Sequence, residues 1–255
     1  MRFSVITVAF NNLSGLRATM ESIDWRRCDL FQWIVVDGGS SDGSPEFLSR
    51  LAKLNFSFVS EPDRGIYDAM NKGIRMGVGQ YCIFMNAGDC FAEGDVLARV
   101  DEMLGDRSPH IVYGDAIERD GDERWFKAAR NPEKNFYSMF THHQSIFYRS
   151  DLLRGGYDLT YRFSADWAMT AHILATPGCD WLRFPGPVCL FERGGVSQSD
   201  DYRALIDREH WRICREESRL NPLSALLVWR VKRGFNALRR RFPHFYDQLR
   251  FKALR

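Results

Sequence analysis

Four short apolar runs, each separated from the next by a segment with helical spacing, constrain this chain more than any other feature. Phe3–Ala9, Phe31–Asp37 (FQWIVVD), Phe56–Ser60 and Tyr81–Met85 read as strands. Between the first two lies Leu13–Ile23, with Leu13, Leu16, Met20 and Ile23 on one helical face. Pro45–Leu54 follows, its proline suited to a first helical turn, and then Ile66–Met76. The order β-α-β-α-β-α-β predicts an α/β fold: a mainly parallel sheet with helices on both faces. Ligands of such sheets bind at the carboxyl ends of the strands. Polar clusters sit just past those ends: Asn11-Asn12, Asp37-Gly38-Gly39, Glu61-Pro62-Asp63 and Asn86-Ala87-Gly88-Asp89.

The pattern is less regular further on. Ile111–Asp115 reads as a strand, and Ala116–Arg119 and Trp125–Ala128 flank a hairpin signal at Asp120-Gly121-Asp122. Asp166–Ala175 and Asp201–Glu217 read as helices, and Val188–Glu192 as a strand ending at Gly194-Gly195. A chain of 255 residues has room for one large domain or a domain with an appendage. Its 45% hydrophobic and 27% charged content allows a sizeable core and excludes a disordered or collagen-like chain. The apolar runs are all too short to span a bilayer, and MRFSVITVAF lacks a signal peptide's long apolar core and cleavage site. The expected location is therefore cytoplasmic. The six cysteines are scattered without a CxxC pair and read as free thiols, not as disulfides or zinc ligands.

Charge is unevenly placed. Residues 221–255 hold nine Lys/Arg and one acid, whereas the remaining 220 residues carry a net −6. Within this tail Leu223, Leu227, Val231, Phe235, Leu238 and Phe242 fall on one helical stripe, with arginines over much of the remainder and Pro243 ending the pattern. Two readings stay open. The 221–242 helix lies on an anionic membrane surface, or its stripe packs on the protein's own core or a second subunit. Nucleic acid is a third partner class, but no aromatic-basic platform or nucleic-acid motif supports it.

The polar clusters suggest specific chemistry. Asp37, at a buried strand's end in VVDGGSSDGS, has the acceptor oxygens to read N–H or hydroxyl groups of a nucleotide. The same residues taken alone make a tight strand-to-helix turn. Neither GxGxxG nor GxxxxGK[ST] occurs, which disfavours a dinucleotide site and a P-loop. Asp89, in a glycine-containing turn, suits a hard cation such as Mg2+ or Mn2+ that also takes substrate phosphates; read alone, it is a helix N-cap. Asp68 and Asn71 share a face of the third helix. In His142-His143-Gln144-Ser145, a neutral histidine can donate to a diphosphate or bind a metal, or be a satisfied structural group. Gly194-Gly195-Val196-Ser197 offers backbone N–H groups to phosphate, with Arg193 beside it.

Taken in series, ITVAFNN, VVDGGSSDGS, SEPDRGIYDAMNKGI and FMNAGD resemble the family 2 glycosyltransferases of the GT-A fold, most of all the bacterial enzymes of surface-polysaccharide synthesis. The resemblance covers about residues 3–200 and is strongest over 3–95. It implies a Rossmann-like GT-A domain over 1–200, with a nucleotide-sugar half (1–105) and an acceptor half (106–200), and a C-terminal helical, basic extension over 201–255. By the same resemblance, Asp37 would contact the nucleotide base, and Ala9, Asn11 and Asp63 would line the same pocket. Asn86, Ala87, Gly88 and Asp89 would stand at the family's Asp-x-Asp motif, with Asp89 on a divalent Mn2+ or Mg2+ and His143 a second candidate ligand. Asn86 stands where the family more commonly has an acid; its amide can bond a ribose hydroxyl but adds no charge for a metal. Arg193 would face the donor phosphates. Asp166 would be the general base, taking a proton from the acceptor hydroxyl, a role worth about 10²–10⁴-fold.

The expected reaction is inverting transfer of a hexose from a nucleoside diphosphate sugar to a saccharide or lipid-linked saccharide, on the inner face of the cell membrane. A nucleotidyltransferase that makes the sugar nucleotide is an alternative, but such enzymes usually carry a Gly-rich, basic first loop, and here that loop reads Ala9-Phe10-Asn11-Asn12. A non-catalytic nucleotide-sugar or glycan scaffold is the other; the acids Asp37, Asp89 and Asp166 argue against it.

Overall fold

The computed structural model describes residues 1–51, 54–193, 202–218, 220–241 and 252–253, with 235–240 and 252–253 described by backbone alone. Strands β1 (Phe3–Ala9), β2 (Phe31–Asp37), β3 (Phe56–Ser60) and β4 (Tyr81–Phe84) run parallel in the spatial order β3-β2-β1-β4. Helices α1 (Leu13–Glu21), α2 (Ser44–Ser49) and α3 (Ile66–Met76) connect them, and α4 (Val96–Leu104) follows the short strand β5 (Cys90–Phe91). All residues of β1 are buried, so its two faces feed two cores. Phe3, Val5 and Ala9 join Leu16 of α1 and Val96, Leu97 and Val100 of α4. Ile6 and Val8 meet Tyr67, Ala69 and Met70 of α3. Each fully buried Val, Leu, Ile, Phe or Met among them contributes about 1.5–3 kcal/mol.

The chain leaves β1 in one direction to build β2 and β3, then returns to place β4 on the other side of β1. The loops after β1 and β4 therefore diverge and open a crevice between them.

The second half extends the sheet with mixed polarity. Strand β6 (Ile111–Asp120) forms a hairpin with β7 (Glu123–Lys127), while β8 (Ile146–Arg149) runs antiparallel between β4 and β6. After helix α5 (Ala165–Leu174), strand β9 (Trp181–Glu192) pairs parallel to β6 and antiparallel to β5. The two short segments expected at 111–119 are one strand. Its register with β9 shifts around Gly114, where an added Cβ would lie 2.7 Å from the Gly186 carbonyl and from Val188. A side chain there would collide with β9.

Helices α6 (Arg203–Glu216) and α7 (Pro222–Arg241) complete the C-terminal part, and β10 (Lys252–Ala253) pairs with β7. Ile213 and Cys214 of α6 and Ala225 of α7 are 0% exposed and belong to the α3 core. The segment expected as an extension is thus rooted in that core.

Candidate active site

A cavity of about 930 Å³ opens at the crevice between β1 and β4. Its walls come from the β1 exit (Ala9, Phe10, Asn12), the start of α3 (Asp63–Asp68), the β4 exit (Asn86, Ala87, Asp89) and the Thr141–Gln144 segment. The lining also includes Tyr161, Arg162, Phe163, Asp166, Glu192 and Tyr202. Asp89 and Asp166, far apart in sequence, line the same space.

The β4 exit is held tightly. Ala87 N–H donates to the Val8 carbonyl (3.0 Å), and the Asn12 amide donates to the Ala87 carbonyl (2.9 Å). The Thr19 hydroxyl, on α1, donates to the Asp89 carbonyl (2.7 Å) and accepts from Gly88 N–H (3.0 Å). Gly88 has φ +108°, where a side chain would be strained. The turn presents Asp89, only 5% exposed, whose two oxygens accept from the Gln144 amide (2.8 Å) and Glu192 N–H (3.1 Å). Burial pushes this carboxyl up to about 7, against the lowering effect of those two hydrogen bonds. Such a carboxyl gains strongly from a nearby positive charge. The Asn86 Oδ1 beside it is buried with no hydrogen-bond partner.

Among the described residues no group of three or more His, Cys, Asp or Glu side chains is placed to hold a metal. Asp89 and the unsatisfied Asn86 oxygen nevertheless fit a hard cation that completes its shell with phosphate and water oxygens. His143 does not join them. Its Nε2 lies 2.7 Å from the Tyr157 hydroxyl, its ring stacks on Phe84 (centroids 4.8 Å apart), and burial lowers its pKa. His143 lines the cavity with its Nε2 on Tyr157, and its neighbour Gln144 is the residue that reaches Asp89.

Asp37 also differs from its expected setting. It is 0% exposed and lies outside the cavity lining. Its carboxylate accepts from Gly39 N–H (3.2 Å), Ser40 N–H (3.0 Å), the Ser40 hydroxyl (2.5 Å) and the Ser60 hydroxyl (2.6 Å). Three of these donors meet Oδ2 and one meets Oδ1, so Asp37 holds the Gly38–Ser40 turn. The cavity receives Asp63 instead. An added Cβ on Gly38 would lie 2.6 Å from an Asp63 oxygen and 3.3 Å from the Phe10 ring, so Gly38 leaves room for both. Phe10 is 65% exposed and lines the cavity, a signal the sequence reading passed over. Asn11 turns away into the second loop: its N–H donates to Ser40 Oγ (2.7 Å) and its Oδ1 accepts from Ser41 N–H (2.9 Å). Asp68 pairs with Arg64, and Asn71 is used on the Tyr157 backbone.

Asp166 sits in the first turn of α5 and accepts from the Tyr67 hydroxyl (2.9 Å). Burial and the Asp166 charge push the Tyr67 pKa well above 10, so this phenol keeps its proton and donates. The Tyr67 hydroxyl ties α3 to α5, and no sequence spacing announces it. Glu209 of α6, buried at 5%, accepts from Arg162 N–H (2.6 Å) and Phe163 N–H (3.0 Å), fixing the approach to α5. Phe163 stacks near Tyr202 (4.7 Å). Arg193 pairs with buried Glu118 (3.3 Å), which also holds His142 (2.8 Å) and Lys127 (3.6 Å); of these, Lys127 and His142 face the cavity. The Gly194–Ser197 loop lies outside the described residues.

A mostly parallel sheet flanked by helices, with a cavity at its switch point lined by acids from both halves, defines a GT-A glycosyltransferase architecture. Solved structures agree on the fold. Staphylococcus aureus TarS 1–349 in complex with UDP-GlcNAc matches with a TM-score of 0.63 at 16% identity, covering 96% of this chain and 73% of that one. Mannosyltransferase PcManGT from Pyrobaculum calidifontis, in complex with GDP-Man and Mn2+, matches with a TM-score of 0.59 at 20% identity, covering 92% and 74%. Among curated proteins, a PGL/p-HBAD biosynthesis glycosyltransferase of Mycobacterium tuberculosis is 35% identical over 214 residues, 81% of each chain. The family model for glycosyl transferase family 2 matches residues 4–170. The chain belongs to glycosyltransferase family 2 and is a nucleotide-sugar-dependent glycosyltransferase.

Proposed function

We propose that this enzyme transfers a hexose, with inversion, from a nucleoside diphosphate sugar to a hydroxyl of a saccharide or lipid-linked saccharide. One observation carries the reading: Asp89 and Asp166, 77 residues apart in sequence, line a single cavity. In this reading the nucleotide lies along the β1 exit, its base stacked on Phe10 and held beside Asp63. The diphosphate lies toward Asn86 and Asp89, which would hold a divalent cation, with Lys127 and His142 facing the same space. That cation, when bound, offsets negative charge on the departing diphosphate. The acceptor occupies the Phe163–Tyr202 side. Asp166, aligned by the Tyr67 hydroxyl, takes the acceptor's proton as its oxygen bonds to the anomeric carbon; the bond to the diphosphate oxygen breaks and its electron pair leaves with the diphosphate.

Supporting the donor class are the two solved neighbours, whose structures hold UDP-GlcNAc or GDP-Man with Mn2+. Supporting a glycolipid-type product is the relative that acts in PGL/p-HBAD biosynthesis. A thermal-shift screen of UDP-, GDP- and dTDP-hexoses with and without Mn2+ identifies the donor, because a bound ligand raises apparent stability. Proton NMR of the product anomer then tests the chemistry. An α-linked donor is expected to give a β-glycoside; a product that keeps the donor's configuration would refute the single-displacement role of Asp166.

A further inference from the structure

We propose that α7 seats the enzyme in the plane of an anionic membrane surface, its apolar stripe in the lipid and its arginines at the headgroups. The acceptor then enters the cavity from the α5 side as the head of an amphiphile, a consequence that rests on the functional reading above. At 3.6 residues per turn, Leu223, Leu227, Arg230 and Val231 cluster within about 100° on one side of the helix, opposite Ala225, Val228 and Lys232. Leu223 is 81% exposed, Leu227 64% and Val231 49%.

The opposite side is anchored. Ala225 is 0% exposed and Val228 packs on the core. Trp229 Nε1 donates to the Asp207 carbonyl (3.2 Å), and its ring meets Trp211 (centroids 5.7 Å apart). Lys232 Nζ lies 3.8 Å from the centre of the Trp167 ring. With that face committed, the helix cannot roll to bury Leu223, Leu227 and Val231.

Charge selects the occupant. Arg230, Arg233 and Arg241 are exposed, and residues 221–255 hold nine basic residues against one acid. A second copy docked through the same stripe would bring two such basic segments together in an isologous contact, which repulsion opposes. An anionic bilayer meets both features, because apolar burial and headgroup attraction act together on an interfacial helix. No described helix is long and apolar enough to cross a membrane, so the contact is in-plane. Its position suits delivery: Lys232 touches Trp167, the residue after Asp166.

The test is co-sedimentation of the full chain with vesicles of phosphatidylethanolamine and phosphatidylglycerol, or of phosphatidylcholine alone. The proposal expects binding to the anionic vesicles about tenfold or more stronger than to the neutral ones. A Leu223→Ser/Leu227→Ser/Val231→Ser variant is expected to lose about tenfold or more of that binding. Its circular-dichroism melt should match the parent's, since these side chains touch solvent. Equal binding by parent and variant, or no binding to anionic vesicles, overturns the proposal. So does a parent dimer, seen by sedimentation velocity without lipid, that the variant converts to monomer. Donor cleavage measured without vesicles separates the two readings. Vesicle binding with no cleavage of any nucleotide sugar would overturn the functional reading and leave the docking surface standing.

Discussion

One hydrogen bond sets how Asp166 is presented. The Tyr67 hydroxyl fixes one carboxylate oxygen at 2.9 Å and leaves the other for an acceptor. A hydrogen bond to a charged group is worth about 1.5–3 kcal/mol, so Tyr67→Phe should lower kcat by roughly ten- to a hundredfold with the donor KM unchanged. Steady-state kinetics checks this, and an equal loss in donor affinity would mean that Tyr67 merely supports the fold. Phe10 acts at the other end. Aromatic stacking on a base is worth about 1–3 kcal/mol, so Phe10→Ala should weaken nucleotide binding about five- to a hundredfold in calorimetry while leaving the melting temperature unchanged. Lys232 gives a pH signature. Burial pulls its pKa from 10.5 down to about 7. Below pH 7 the folded protein bears the whole cost of a buried ammonium. Between about pH 7 and 10 the unfolded chain binds more protons, so that cost declines as pH rises. Lys232→Met should therefore raise the melting temperature most at or below pH 7, with the gain shrinking toward pH 10; a pH-independent gain would contradict the assignment.

Among the elements, the β4 exit turn is tied to the body of α1 by the Thr19 hydroxyl. Thr19→Val keeps the shape but leaves the Asp89 carbonyl and Gly88 N–H without this partner. An unsatisfied buried group costs about 1–3 kcal/mol, so the variant should melt lower and bind donor more weakly, both read by thermal shift with and without nucleotide sugar. The elements themselves were largely legible. Phe3–Ala9, Phe31–Asp37, Phe56–Ser60 and Ile66–Met76 fall where the apolar runs and spacing place them, because each is bounded by abrupt polar or glycine signals. What escaped the sequence depends on distant packing. Gly114 marks a register shift that only β9 explains, and Tyr67 reaches Asp166 across 99 residues of chain. In HHQS the spacing could not say that Gln144, not His143, turns toward Asp89. Asp37 was recognisable as an acid at a strand end, but not as one engaged by its own loop and by Ser60 of β3.

On the scale of the whole molecule, the fold brings two acids from separate halves to one cavity, each suited to opposite tasks. Asp89, the proposed cation ligand, is buried on the pinned β4 turn together with an unsatisfied Asn86 amide oxygen. Asp166, the proposed base, stands at the start of a helix whose approach Glu209 fixes. The sheet order legible in the first half of the sequence predicts the crevice, and α6 falls within the helix read at Asp201–Glu217, but the Phe163–Tyr202 contact becomes visible only once the chain is folded. The most direct measurement is a paired one on Asp166→Asn: calorimetric affinity for the donor with Mn2+, and the single-turnover rate of transfer. The account predicts donor affinity within about twofold of the parent and a rate lowered about 10²–10⁴-fold. Transfer at the parental rate would contradict it.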